Sequence, residues 1–209
     1  MFSGIVETKV NLLEWSSVDR SAQVKIQRPS NFKDLSIGDS IAIDGVCLTL
    51  EKFTTDSADS DFLQFYLGAE TLKVTGWTAE KLKNKALNIE RSLRLADRVH
   101  GHFVLGHVDA MGSVIAAEKT GENIQLTIAL SAPLRPLVWR KGSVAINGIS
   151  LTINNVRDIS STDSVEIELC IIPETIRRTN ISHLKAGDLV TVEADQYARA
   201  LQRFSEAKP

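Results

Sequence analysis

Apolar and polar positions alternate in short runs along this chain, as in Leu63-Gln64-Phe65-Tyr66-Leu67, Asn123-Ile124-Gln125-Leu126-Thr127-Ile128 and Val165-Glu166-Ile167-Glu168-Leu169. A period of two marks a strand with one face buried, and polar, turn-rich stretches separate the runs. The segments from Thr54 to Asp61 and from Asp158 to Asp163 read as loop tips. The pattern predicts an all-β chain. One run is written twice: Ser40-Ile41-Ala42-Ile43-Asp44-Gly45-Val46-Cys47-Leu48-Thr49 returns as Ser143-Val144-Ala145-Ile146-Asn147-Gly148-Ile149-Ser150-Leu151-Thr152. Asp-Gly or Asn-Gly at the centre predicts a two-residue hairpin turn with both central residues at positive φ. Such a turn pairs Ile43 with Val46, Ala42 with Cys47, Ile41 with Leu48 and Ser40 with Thr49. The pleat then places Ile41, Ile43, Val46 and Leu48 on one face and Ser40, Ala42, Cys47 and Thr49 on the other. In the second copy that other face holds Ser143, Ala145, Ser150 and Thr152. A solvated face tolerates Ser and Thr. The lack of Lys and Glu, and the preference of a free Cys for a dry site, point instead to a wall that touches a ligand.

The offset of about 103 residues extends beyond the hairpin, as in a duplicated domain. Ser3-Gly4-Ile5-Val6-Glu7 matches Leu105-Gly106-His107-Val108-Asp109, and Ala69-Glu70-Thr71-Leu72-Lys73-Val74-Thr75 matches Pro173-Glu174-Thr175-Ile176-Arg177-Arg178-Thr179. Leu87-Asn88-Ile89-Glu90 matches Val190-Thr191-Val192-Glu193. Two β-rich copies of this size predict two small barrels, because closure removes exposed strand edges. The expected units are 1–97, 98–195 and a terminal helix at 196–209. In that helix Tyr197, Leu201 and Phe204 form one apolar stripe, with Arg199, Gln202 and Arg203 turned away from it. So short a helix needs a partner, either the barrel or another subunit.

Composition narrows the function. A net charge of −2 and 6% aromatic content lack the basic, aromatic groove of a single-stranded nucleic-acid binder. No basic, apolar leader opens the chain and no apolar run reaches membrane-spanning length, so a cytoplasmic protein with Cys47 and Cys170 reduced is expected. No ligand-spaced Cys or His cluster and no Gly-rich phosphate loop occurs, so neither a metal nor a nucleotide site is expected.

Several stretches together resemble riboflavin synthase: Met1-Phe2-Ser3-Gly4-Ile5-Val6-Glu7, Asp44-Gly45-Val46-Cys47-Leu48-Thr49, Gly101-His102-Phe103, Gly106-His107-Val108-Asp109, Lys141-Gly142, Asn147-Gly148-Ile149-Ser150-Leu151-Thr152 and Ile172-Pro173-Glu174-Thr175. The resemblance implies two six-stranded Greek-key barrels with a C-terminal helix, a homotrimer, and association with a lumazine synthase. It implies a transferase that makes riboflavin and 5-amino-6-ribitylamino-uracil from two molecules of 6,7-dimethyl-8-ribityllumazine, with no cofactor. A non-catalytic lumazine- or flavin-binding antenna on the same scaffold is the alternative, since function lives in the site and not in the fold.

By the same resemblance the catalytic candidates are Ser40, Cys47, His102 and Asp195. The first barrel would offer Gly4, Ile5, Val6, Ser40, Cys47, Leu48, Thr49, Glu70, Thr71, Gly101 and His102 to one substrate molecule, and the second would offer Lys141, Ser150, Leu151, Thr152, Ile172, Pro173, Glu174, Thr175 and Asp195 to the other. Tyr66, Leu67, Gly68, Ala69, Phe103, Cys170 and Ile171 complete the expected contacts, and the two half-sites would meet across a subunit interface. Each candidate also has an ordinary structural reading. His102 would be a core histidine on an apolar strand, facing the same way as Val104, with His107 facing the opposite way as a structural residue and His100 at the surface. Asp195 would cap the terminal helix, Cys47 would be an inert buried thiol, and Lys141 a solvated charge. The Glu-Thr pairs would open helical turns. Leu105 stands where the family commonly has Ser, and Leu67-Gly68-Ala69 and Val74-Thr75-Gly76 also depart from its pattern, which bears on the first pocket. The C7 nucleophile stays open between Ser40, Cys47 and water.

Overall fold

A computed structural model describes residues 1–54, 61–159 and 163–206. In the first half, β1 (Thr8–Val18), β2 (Ser21–Gln27), β3 (Ser40–Ile43), β4 (Val46–Phe53), β5 (Phe62–Leu67) and β6 (Ala86–Arg91) close into a barrel in the order β1-β2-β5-β4-β3-β6. In the second half, β7 (Ala110–Thr120), β8 (Asn123–Ser131), β9 (Ser143–Ile146), β10 (Ile149–Ile159), β11 (Ser164–Ile171) and β12 (Leu189–Ala194) close in the same Greek-key order. Short helices α1 (Ala69–Thr75) and α2 (Ala79–Leu82) follow β5, α3 (Pro173–Arg178) follows β11, and α4 (Gln196–Glu206) ends the described chain. Most of the two expected loop tips, residues 55–60 and 160–162, lies outside the described residues.

Both hairpins form in the register that their turns dictate. Asp44 and Gly45 have φ of 41° and 80°, Asn147 and Gly148 of 46° and 74°, the paired positive values of a type I′ turn. Ile41, Ile43, Val46 and Leu48 face the first core, and Val144, Ile146, Ile149 and Leu151 face the second. Strict alternation breaks at matching places. The register slips between Leu12 and Glu14 in β1 and between Val114 and Ala116 in β7, which leaves Leu13 and Ile115 exposed. It slips again between Leu50 and Lys52 in β4 and between Ile153 and Asn155 in β10. Each extra residue bends and twists its strand, as closure of a small barrel requires.

The two barrels share a buried junction. The small hairpin face is not all free to meet a ligand, because Ala42 and Ala145 bury against Phe2 and Val104 with Cys47 at the margin. Phe2 and Val104 themselves pair as an isolated antiparallel bridge. At the turns the backbones touch: a Cβ built on Gly45 would lie 2.7 Å from the Gly148 nitrogen, and one on Gly148 2.7 Å from the Gly45 nitrogen. Around them Asp44 Oδ1 accepts from the Asn88 amide at 2.7 Å and from Asn180 Nδ2 at 2.9 Å, while Asn88 Nδ2 donates to the Asn147 carbonyl at 2.9 Å. Asn147 Oδ1 accepts from the Thr191 amide at 2.9 Å. Packing also crosses between copies. Val6, which precedes the first barrel, is buried in the core of the second, and Val108, which precedes the second, packs on the core of the first.

Helix α4 rests on the second barrel through Ala198 and through an ion pair from Arg199 to Asp109. Arg199 is thus engaged and not simply turned to solvent, because half-buried Asp109 needs a counter-charge. The stripe of Tyr197, Leu201 and Phe204 stays 63%, 68% and 72% exposed.

Burial pushes the Asp44 carboxyl up to about 7, against the pull of its hydrogen bonds from Asn88 and Asn180. A raised acid holds its proton in the folded chain where the unfolded chain has already ionised. Its contribution is therefore full below the ordinary Asp range and lost as pH rises through about 7. Asn147 performs the equivalent role without charge. Asp44→Asn is expected to change stability little at pH 4 and to raise it by about 2 to 4 kcal/mol at pH 8, measured by urea unfolding. An equal effect at both pH values would show that Asp44 is not the titrating group.

Candidate active site

Two glycine arms build the site. Gly4 and Gly106 have φ of +73° and +79°, and a Cβ on them would fall 2.6 Å from Ser150 Cβ and 2.4 Å from Cys47 Cβ, so only glycine fits at either place. The Ser150 amide donates to the Gly4 carbonyl at 2.8 Å, and the Cys47 amide donates to the Gly106 carbonyl at 2.9 Å. Each arm therefore lies against the hairpin of the opposite barrel. This corrects the expected division of residues: Gly4, Ile5 and Val6 belong with the second barrel, and Gly106, His107 and Val108 serve the first. The cause is burial of Val6 and Val108 in the opposite cores, which carries the neighbouring backbone across.

At the first barrel a cavity of about 420 Å³ is lined by Val46, Cys47, Glu70, Thr71, Val74, Thr75, Gly106, His107 and Val108. Cys47, Glu70 and Thr71 come together there. His107, which the sequence reads as structural, is exposed and lines this cavity, because the segment around it is an arm and not a strand. The duplication carried the signal, since His107 matches Ile5 in the aligned copies. Ser40 pairs with Thr49, a diagonal step from Cys47 on the same hairpin face, and is half-buried. Thr49, Tyr66, Ala69 and Thr152 are exposed and Gly68 is half-buried. Leu48, Leu67, Leu151 and Ile171 point into the cores, so those positions can offer a ligand only their backbone.

At the second barrel His102 Nδ1 lies 2.7 Å from Ser150 Oγ, and the His102 amide donates to the Ser3 carbonyl at 3.2 Å. Gly101 leaves space for this, since a Cβ there would sit 2.1 Å from that carbonyl oxygen. His102 is half-buried outside any strand, and Gly101 and His102 join Ser150, not Cys47. Burial lowers the His102 pKa from its ordinary value, and the nearby Asp195 charge pulls it back up. Asp195 also accepts from the Tyr197 amide at 2.9 Å, so the capping and electrostatic roles coexist. The Phe103 ring lies 6.3 Å from that of Tyr197.

Two of the other candidates have partners of their own. Glu174 opens α3 behind Pro173 and pairs with Arg177 and Arg178. Cys170 Sγ meets Gln125 Nε2 at 3.3 Å. Ile172 is exposed and Thr175 half-buried. Lys141 is exposed at φ 70°, and among the described residues no hydrogen bond or ion pair ties its side chain to Ser150 or His102. His100 is at the surface. Among the described residues no group of three His, Cys, Asp or Glu side chains could hold a metal ion, and no helix is long and apolar enough to cross a membrane.

A lumazine-binding-domain model matches residues 3–92 and again 105–195. The chain is 35% identical to riboflavin synthase of Photobacterium phosphoreum over 98% of this chain and 88% of that one. It is 36% identical to riboflavin synthase of Chlamydia muridarum over 100% and 98%. The chain belongs to the riboflavin synthase family. Crystal structures of LumP with 6,7-dimethyl-8-(1'-D-ribityl) lumazine and with flavin mononucleotide share its fold, each at a TM-score of 0.76 over 93% of this chain and 99% of theirs. Their identities of 18% and 19% carry the fold alone.

In this family member the His102 environment is directly measurable. Ring NMR signals of His102 should titrate below the free-histidine value of about 6.5. Asp195→Asn should move the midpoint lower still, because it removes the charge that favours the imidazolium. A midpoint unmoved by that substitution would separate the two residues.

Proposed function

We propose that the chain acts as a riboflavin synthase, moving a four-carbon unit between two molecules of 6,7-dimethyl-8-ribityllumazine to give riboflavin and 5-amino-6-ribitylamino-uracil. The doubling of the site carries this reading. One hairpin wall, one glycine arm and one helix opening occur at each barrel, and a reaction between two copies of one molecule needs two such half-sites.

The C7 methyl of the substrate is acidic because its carbanion delocalises into the ring, so a weak base can begin the reaction. Burial keeps His102 uncharged near neutrality, able to accept a proton, and Asp195 would stabilise the imidazolium that results. Addition of Ser40, Cys47 or water at C7 of the second molecule would make it electrophilic. Electrons lost by one product are gained by the other, so the reaction balances without an outside oxidant. Holding two flat rings together can supply effective molarities of about 10⁵ M or more, against about 10² to 10⁴-fold from acid-base help.

On this reading the units are 1–97, 98–195 and 196–209 with their arms exchanged, and the working form is a homotrimer whose interfaces join unlike half-sites. The exposed stripe on α4 supports that assembly, and a lumazine synthase is a partner consistent with the shared substrate.

Purified chain mixed with 6,7-dimethyl-8-ribityllumazine alone should form riboflavin, followed by absorbance, and His102→Gln should slow turnover by about 10²-fold or more while binding stays within several-fold. Binding of the lumazine without turnover in the parent would favour the antenna alternative.

Assembly has its own test. Leu201→Asp with Phe204→Asp keeps Ala198 and Arg199 on the barrel and charges only exposed positions. Sedimentation should then show monomers, and turnover should fall by about 10³-fold or more as the proximity of two half-sites is lost. Full activity in a monomer would sink the intersubunit site.

A further inference from the structure

Two buried glutamates outside the hairpins hold the glycine arms. Glu90, near the end of β6, accepts from the Ser3 amide at 2.8 Å and the Ser3 hydroxyl at 2.9 Å through Oε1, and from the Gly4 amide at 3.1 Å through Oε2. Glu193, at the matching place in β12, accepts from the Leu105 amide at 2.8 Å through Oε1 and the Gly106 amide at 2.9 Å through Oε2. The far end of each arm is pinned in the same way. Glu7 Oε1 accepts from the Arg91 amide at 2.9 Å, and Asp109 Oδ2 accepts from the Ala194 amide at 2.8 Å.

We infer that Glu90 and Glu193 are crossed positioning residues: Glu90 of the first barrel sets the geometry of the Ser150–His102 site on the second, and Glu193 of the second sets the Cys47 site on the first. The route is short. Glu90 fixes Ser3 and Gly4, the Gly4 carbonyl receives the Ser150 amide, and the Ser3 carbonyl receives the His102 amide. Glu193 fixes Leu105 and Gly106, whose carbonyl receives the Cys47 amide. A carboxylate suits this task because it only accepts, and each of its oxygens faces an N–H. Glutamine in its place would turn an NH₂ toward an amide donor and release one end of the arm. The two clamps differ in a hydroxyl: Ser3 adds one to the first, and Leu105 has none to add to the second.

Hydrogen exchange of assigned backbone amides tests the crossing. In Glu90→Gln the Ser150 amide should exchange about tenfold faster with the Cys47 amide within about threefold of the parent, and in Glu193→Gln the order should reverse. Ser3→Ala, a milder change should Glu90→Gln fail to fold, should accelerate Ser150 alone by a few-fold. Leu105→Ser should slow Cys47 by supplying the missing hydroxyl. Acceleration of both amides together, of the uncrossed amide, or of neither would overturn the inference. The functional half rests on the lumazine reading above: lumazine titration should shift Ser150 less in Glu90→Gln and Cys47 less in Glu193→Gln. If lumazine shifts neither amide in the parent, that reading fails, while the exchange pattern still decides the clamps.

Discussion

The contact on which the rest of the molecule depends is backbone against backbone at the two hairpin turns. Gly45 and Gly148 meet with no space for a side chain, and that approach brings Ala42 and Ala145 into one buried cluster with Phe2 and Val104. Any larger residue on those faces would hold the barrels apart, Phe2 would lose its cover, and the arms on either side of it would no longer reach across. The polar ring of Asp44, Asn88, Asn147, Asn180 and Thr191 follows from the same approach. Turn backbone packed between two barrels loses most of its access to water, and side chains satisfy it. Asp44 and its partners do this at the cost of a carboxyl pushed up to about 7.

Because the arms cross, neither barrel is complete alone. Each hairpin takes its last backbone partner, and each core one of its valines, from the chain that precedes the other barrel. The carboxylates that hold the arms are themselves buried: burial pushes Glu90 up to about 7 and raises Glu193, while the amides they accept from pull both back down. Burying an acid is worth its desolvation only where several donors converge on it. These acids stand where a strand end and a glycine arm would otherwise leave amides facing each other with no acceptor.

Local chemistry made the hairpins legible. Asp-Gly and Asn-Gly set the turn, the turn set the register, and period-two alternation set the core faces, all within ten residues. What stayed hidden depended on distant contacts. The uncharged face of Ser40, Ala42, Cys47 and Thr49 reads the same whether it meets a ligand or another hairpin, and it does the second at Ala42. The destination of Val6 cannot be read from a valine near the start of the chain. Strand parity sorts His102 and His107 to opposite faces, a rule that holds for neither because both lie outside any strand. The apolar stripe of α4 was legible, whereas the docking of that helix through Arg199 depends on Asp109, ninety residues away.

Duplication gave one scaffold twice, and the differences between the copies are chemical. Cys47 stands where the second copy has Ser150, Asp44 where it has Asn147, and His107 occupies the place that Ile5 takes in the first arm. His102 and Asp195 add an imidazole and a charge beside Ser150, and Cys47 and Glu70 line a cavity with His107 at the other barrel. The transfer proposed between two identical molecules needs such inequality. One must lose a proton and become a nucleophile while the other becomes electrophilic, and two equal pockets would push both molecules the same way. On the proposed function, the fold repeats closely enough to bind one ligand twice, while the side chains diverge enough to treat the two copies differently.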